Sequence, residues 1–147
     1  MAQINGILNG TDIKVYNAGT LIAFATSGTI NINHNPRSTS NKEDGGWESS
    51  LEGYRSFDVS IDAMYAWNDA TGGTLSTTTL SELYTNYIHT RTSFEITFGD
   101  TGSDTGDTKY TGTVFMTSAS LTAPNEDSAT FSASFQGTGA LTQTVAT

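Results

Sequence analysis

The stretch KYTGTVFMTSASLTAPNEDSATFSASFQGTGAL, residues Lys109–Leu141, decides the fold of this chain. In its second half, Phe131, Ala133 and Phe135 alternate with polar residues, which is the pattern of a strand with one buried face. Between the halves lies the segment Ala123-Pro124-Asn125-Glu126-Asp127, where proline fixes φ and Asn and Asp favour a turn. The stretch therefore predicts a long hairpin.

The first strand of this hairpin carries apolar side chains on both faces. Strict alternation puts Tyr110, Val114 and Met116 on one face, and Phe115 and Leu121 on the other. Strands that are apolar on both faces are usually covered on both sides. We therefore expect this strand to touch its own core and also a neighbouring chain.

Length and composition restrict the class of protein. A chain of 147 residues predicts one domain, residues 1–147, and the absence of cysteine excludes disulfides and thiolate metal sites. No apolar run approaches a membrane span, and the N-terminus lacks the pattern of a secretory signal, so we expect no membrane anchor and synthesis in a reducing cytoplasm. Abundant Ser, Thr and Gly favour a mainly β protein.

The charge balance argues against a nucleic-acid-binding protein. Six Lys and Arg stand against 15 Asp and Glu, which gives a net charge of −9. A protein that binds nucleic acid by neutralising phosphates needs a basic face, and six scattered cations do not supply one.

Other segments show strand or helix periodicity. Asp12–Asn17, Leu21–Thr26 and Thr29–Asn33 predict a three-stranded meander with turns at Ala18-Gly19 and Ser27-Gly28. Arg55–Trp67 and Ser93–Gly99 alternate as strands, the latter with Phe94, Ile96 and Phe98 inward. Thr79 and Glu82 form a capping-box pattern ahead of a helical stripe that ends near Thr90: Leu80, Leu83, Tyr84, Tyr87 and Ile88.

These elements predict an antiparallel β-sandwich or barrel of about seven strands with one flanking α-helix. The residues after Leu141, 142–147, have no evident partner and are expected to form a flexible tail.

The segment from His34 to Gly53 has no apolar period and predicts a long loop. Its one large apolar residue, Trp47, allows two interpretations. An exposed Trp among polar neighbours is a common interface anchor. Alternatively, Trp47 folds back to cap the core of its own domain.

The sequence contains no convincing catalytic or metal-binding motif. Asp100-Thr101-Gly102 and Asp104-Thr105-Gly106 match the triplet of aspartic proteases, but one hairpin tip cannot place two carboxylates face to face. Asp100, Asp104 and Asp107 are oxygen ligands without EF-hand spacing, and His34 and His89 lack partners at ligand spacing. We expect no catalytic residue, cofactor or metal.

Several segments together resemble the major tail tube proteins of long-tailed (siphovirus) bacteriophages. They are Ala2–Gly6, Leu21–Ala23, Gly45–Glu48, Leu51–Phe57, Tyr110–Thr113, Leu121–Asp127, Ala129–Ser132 and Gly137–Leu141. The resemblance runs nearly end to end and implies a structural virion protein in a phage tail. It implies hexameric rings stacked into a tube that conducts DNA without specific binding, and it implies tape measure, tail terminator and distal tail proteins as partners.

The resemblance also suggests where contacts lie. It implies an extended loop that reaches the next ring, and our candidates for that contact are Pro36, Arg37, Glu43, Asp44 and Trp47. Asp58, Asp62 and Glu95 fall on polar strand faces and are candidates for an acidic lumenal surface, although such carboxylates also serve solubility.

A second hypothesis is a β-sandwich binding module of a virion, which recognises a carbohydrate or receptor. Such a module exposes aromatic residues on one concave face. Here most aromatic residues fall on predicted core faces, which favours the tail tube subunit.

Overall fold

The computed structural model describes residues 13–22, 25–65, 80–99 and 106–147. Within these ranges the strands are β1 (Lys14–Asn17), β2 (Thr20–Leu21), β3 (Ala25–Ser38), β4 (Ser50–Met64), β5 (Phe94–Gly99), β6 (Thr108–Thr122) and β7 (Thr130–Val145). They form one seven-stranded sheet in the order β2-β1-β5-β6-β7-β4-β3, and every neighbouring pair is antiparallel. The prediction of a mainly β fold with about seven antiparallel strands is confirmed.

The hairpin of β6 and β7 forms as the sequence predicts. Its pairing runs from Thr108 opposite Val145 to Thr122 opposite Thr130, and residues 123–129 make the turn. The expectation of an unpaired tail after Leu141 is wrong for residues 142–145, because they pair with residues 108–111 of β6. Residues 142–145 are mostly polar and show no apolar periodicity, so the sequence alone does not predict that they form a strand.

A β-bulge changes which face Leu121 occupies. Met116 lies opposite Phe135, but the register shifts before Ser118, and Leu121 then lies opposite Phe131. A bulged residue reverses the alternation of side chains beyond it. Leu121 therefore shares the face of buried Phe131 and is not on the face of Phe115, so the strict alternation assumed from sequence was wrong beyond this point.

The predicted meander is only half correct. β1 and β2 form a hairpin across Ala18 and Gly19, which both have positive φ as a two-residue hairpin turn requires. β3, however, pairs with β4 at the opposite edge of the sheet. The β3–β4 pairing aligns Ile30 with Val59, which lies 29 residues further along the chain. A predicted short turn indicates only which strand is nearby in sequence, so it does not reveal this partner.

The core lies on one face of the curled sheet. Neighbouring strands place matching rows there, such as Ile30, Val59, Phe135 and Met116. The two ends of the sheet approach each other at Gly28 of β3. A Cβ on Gly28 would lie 3.0 Å from Val15 of β1 and 3.2 Å from Phe98 of β5, so glycine permits this close approach.

One short helix covers the core. It consists of α1 (Leu80–Leu83) and a π-helical turn, Tyr84–His89, and it ends at Thr90 as predicted. Leu83 is buried, and Tyr87 stacks on Phe94 with ring centroids 4.0 Å apart. Tyr84, which was assigned to the apolar stripe, is half-exposed, because the wider π turn does not follow the 3.6-residue period.

Some predicted features lie outside the described residues: Trp67, the cap at Thr79, and residues 100–105 of the acidic tip. Among the helices that are described, none is long and apolar enough to cross a membrane.

Candidate functional site: a polar face and an extended arm

The face of the sheet opposite the core forms a continuous polar surface, called here the polar face. The strand registers place the following residues on it: Ser27, Thr29, Asn31 and Asn33 of β3; Ser56, Asp58, Ser60 and Asp62 of β4; Ser132, Ser134, Gln136 and Thr138 of β7; Thr113, Phe115, Ser118 and Ser120 of β6; Glu95 and Thr97 of β5. The charged members of this set are all carboxylates, and Lys14 and Lys109, which both pair with Gly99, lie on the same face at the end of β5. Hydroxyl and amide side chains make up most of the rest.

Asp62 links three strands of the polar face. Its carboxylate accepts hydrogen bonds from Ser132 of β7 at 2.5 Å and from Ser27 of β3 at 3.0 Å. These hydroxyls, Ser132 first, lower the pKa of Asp62 because they stabilise its charged form. Asp62 therefore stays ionised, and its negative charge is fixed in position between the strands.

Asp58 is held in a similar way, by amides. Asn31 donates a hydrogen bond to its carboxylate at 2.9 Å, and Asn33 donates another at 3.5 Å. Glu95 lies on the same face, because Glu95 pairs with Thr113, which in turn pairs with Thr138. The structure thus brings all three predicted acidic candidates onto one face. Sequence reasoning did not identify the amide partners of Asp58 or the hydroxyl partners of Asp62, which appear only when the strand registers are known.

The predicted long loop is shorter than expected and sits at the end of an arm. The arm comprises residues 34–38 of β3, the loop 39–49, and residues 50–55 of β4. His34–Ser38 and Ser50–Gly53 belong to strands, so the loop expected over residues 34–53 was too long. Both faces of the arm are largely exposed, and a strand exposed on both faces shows no apolar alternation.

The loop at the end of the arm is held by its own hydrogen bonds. Asn41 and Asp44 bond across one turn, with Asn41 N–H donating to the Asp44 carboxylate at 2.8 Å. A second turn follows at Gly45 and Gly46, both with positive φ, and is closed by Trp47 N–H donating to the Asp44 carbonyl at 3.1 Å. Trp47 is 83% exposed, so the interpretation that it caps its own core is wrong.

The other arm candidates lie near Trp47 or along the edge of β3. Glu43 and Asp44 are in the loop, and Arg37 pairs with Leu51 in the arm. Pro36 lies where the register shifts between Asn35 and Arg37, a position where an edge strand tolerates proline. Opposite it, a Cβ on Gly53 would lie 1.7 Å from the Asn35 carbonyl oxygen, so this irregularity requires glycine.

Sequence reasoning missed a groove at the base of the arm, called here the basal groove. It has a volume of about 540 Å³, and its lining includes Ile32, Arg55, Phe57, Tyr110 and Leu141. The residues come from β3, β4, β6 and β7, so no local sequence pattern reveals it.

The described residues show no arrangement for metal chemistry. No group of three or more His, Cys, Asp or Glu among them is placed to hold a metal ion. His34 accepts a bond from Gly53 N–H at 3.4 Å, and His89 lies beside Tyr84. Asp107 is buried, while Asp100 and Asp104 lie outside the described ranges.

Comparisons with known proteins identify relatives of the chain. A family model described as phage tail tube protein matches residues 9–143. No curated protein matches the chain.

Solved structures share the fold at low sequence identity. A chain from the virion of a native gene transfer agent particle has a TM-score of 0.73 and 22% identity, covering 95% of this chain and 100% of that one. A chain from the tail of an empty gene transfer agent particle, refined with C6 symmetry, has a TM-score of 0.73, 19% identity and the same coverage. The SPP1 tail tube has a TM-score of 0.70 and 13% identity, covering 95% of this chain and 80% of that one.

Proposed function

The chain belongs to the phage tail tube protein family, and on that premise we propose that it forms stacked rings of six subunits whose common lumen conducts the phage genome during ejection. The chain is a structural tail tube subunit, and the sixfold symmetry is proposed by analogy with the gene transfer agent tail. The observation that carries the proposal is the polar face, where hydroxyls, amides and three carboxylates, two of them held by hydrogen bonds, cover five adjacent strands.

The polar face suits the wall of a DNA channel. Phosphates are repelled by fixed carboxylates such as Asp58 and Asp62. The lysines on the same face, Lys14 and Lys109, both lie beside Gly99 of β5, away from the carboxylates of β4. A wall with lysines or arginines would bind the DNA backbone and slow its passage. The genome therefore passes without specific binding.

Two further features support assembly. β3 is an edge strand of 14 residues, and a long edge with free backbone groups is a template for pairing with another chain. The arm projects away from the body and reaches the next ring, with Trp47, Glu43 and Asp44 at its end.

The ends of the tube require other proteins. In the proposed virion the chain contacts a tape measure protein, a tail terminator and a distal tail protein. We infer a structural and not a catalytic role, in the phage tail, with synthesis in the host cytoplasm. The alternative of a carbohydrate- or receptor-binding module is less well supported, because the family match covers residues 9–143 and most core aromatics are buried.

Electron microscopy of the concentrated purified protein tests the proposal. Hollow tubes or sixfold rings are the expected result. A protein that stays monomeric at high concentration and binds sugars would instead favour the binding module.

A further inference from the structure

The basal groove leaves an apolar side chain uncovered. Ile32 is 58% exposed, although Ile30, two residues earlier on the same face of β3, packs against the core. Tyr110 and Leu141 are partly buried and line the groove beside it. A concave site in this range of volume, which combines apolar and aromatic side chains with polar groups such as Arg55 and Gln143, is typical of a site that receives another molecule.

Trp47 has the properties of a side chain that fills such a site. It is 83% exposed, and the turn hydrogen bonds of the loop fix the backbone that presents it before any contact is made. A preorganised aromatic anchor loses little conformational freedom on binding, and tryptophan is enriched among residues that dominate interfaces.

Trp47 cannot reach the groove of its own subunit. Gly53, the groove residue nearest the loop, lies three positions along the strand from Ser50, a rise of roughly 10 Å, and the loop begins beyond Ser50. A contact between Trp47 and the groove therefore joins two chains through different surfaces. Such a head-to-tail contact does not close on itself and can be repeated from ring to ring.

The charges around the two surfaces are complementary. Glu43, Asp44 and Glu48 flank Trp47, with Lys42 as the one cation of the loop. The basal groove is lined by Arg55 and by no carboxylate. Opposite charges at an interface favour the correct encounter and orientation of the partners.

We propose that Trp47 of one subunit inserts into the basal groove of a subunit in the adjacent ring, so that the occupant of the groove is a second copy of this chain. This rests on the proposed function and specifies which surface receives the arm. The rings are then joined by repeated insertions of one tryptophan into one groove.

Chemical cross-linking of assembled tubes tests the contact. The chain has no cysteine, so Glu48→Cys and Ala140→Cys place two unique thiols, one beside Trp47 and one at the groove, at exposed positions. With a short bis-maleimide reagent, the double variant is expected to give a ladder of multimers, because each chain is linked to two others. Each single variant is expected to give dimers at most.

A second comparison uses the otherwise native chain. Trp47→Ala is expected to raise the protein concentration needed for tube growth at least about tenfold. Leu51→Ala is the matched control, because Leu51 is an exposed apolar residue of the arm that does not line the groove, and it is expected to change this concentration little.

The outcomes separate the inference from the proposed function. Tubes that form but give no ladder in the double variant, or that grow normally with Trp47→Ala, overturn the inference and leave the tube intact. A wild-type chain that forms no tubes or rings contradicts both.

Discussion

At the scale of single residues, the packing of Phe57 shows how glycines determine the core. Its ring lies against Gly112 of β6 and Gly137 of β7. A Cβ on either glycine would lie 2.5 Å from a ring carbon of Phe57, closer than side chains pack. The two glycines therefore make room for the aromatic ring that covers them.

Gly137→Ala is expected to destabilise the fold by about 1–3 kcal/mol, because overpacking forces Phe57 out of its position. The free energy of unfolding in denaturant measures the effect. Thr138→Ala, at the exposed neighbouring position, is the control and is expected to stay within about 0.5 kcal/mol of the wild type. Equal stability of the two variants would contradict the packing described for Phe57.

Asp62 predicts a pH dependence of stability. Its pKa is lowered in the folded state, so its stabilising contribution is present above the unfolded value of about 3.9 and is lost as the pH falls through the folded value. Asp62→Asn removes the titrating group. The difference in free energy of unfolding between the wild type and the Asp62→Asn variant should therefore shrink as the pH falls below about 4. A difference between the two proteins that does not change with pH would contradict the role of the Ser27 and Ser132 hydrogen bonds.

At the scale of elements, the hairpins show what the sequence predicts and where it fails. Phe131, Ala133 and Phe135 alternate and lie buried on one face of β7, as their spacing predicts. Leu121 does not follow the alternation, because the bulge before Ser118 depends on pairing with β7 and leaves no mark in the sequence of β6 alone.

The same limit applies to the polar face and the arm. Asp58 and Asp62 were correctly placed on a polar strand face, because the alternation within β4 is strict. The sequence did not reveal that β3 continues to Ser38 and that β4 begins at Ser50. The paired residues there are polar and exposed on both faces of the strands, so they show no apolar alternation. The basal groove was missed because its walls come from four strands.

The arm can be shortened without disturbing the body. Ser38 pairs with Ser50, so deleting Asn41–Ser49 leaves Thr39 and Ser40 as a two-residue hairpin loop, and changing these to Asn-Gly suits such a turn. We expect the shortened subunit to fold with near-native thermal stability. Rings formed by this subunit are expected not to stack.

Circular dichroism melting and electron microscopy together measure this result. Replacing only Lys42 by Ala keeps the loop length and every residue assigned to the contact, and this variant serves as a control that should still assemble. Normal tube growth after the deletion would show that the arm does not join the rings.

At the scale of the whole molecule, the distribution of charge connects the fold to its function. The net charge of −9 includes fixed carboxylates on the polar face, whereas Arg55 lies at the groove on the other side of the sheet. In the proposed tube the polar face repels DNA, and the opposite side, together with the arm, carries the groups that we propose to make the contacts between subunits.

Reversing the charge of the polar face should impair DNA passage and leave assembly intact. In phage that carry Asp58→Lys with Asp62→Lys, we expect tails of normal length but slower genome ejection, because lysines in the lumen bind phosphates. Ejection can be followed by the release of dye-labelled DNA. Glu126→Lys with Asp127→Lys, in the exposed turn between β6 and β7, is the charge-matched control; ejection slowed equally by this pair would exclude a special role for the polar face.

The central claim is that the polar face lines the lumen of a sixfold tube. Cryo-electron microscopy of tubes assembled from the purified chain tests it most directly. The account predicts hexameric rings with Asp58, Asp62 and Glu95 facing the channel. Tubes in which these carboxylates face outward, or are buried between subunits, would contradict it.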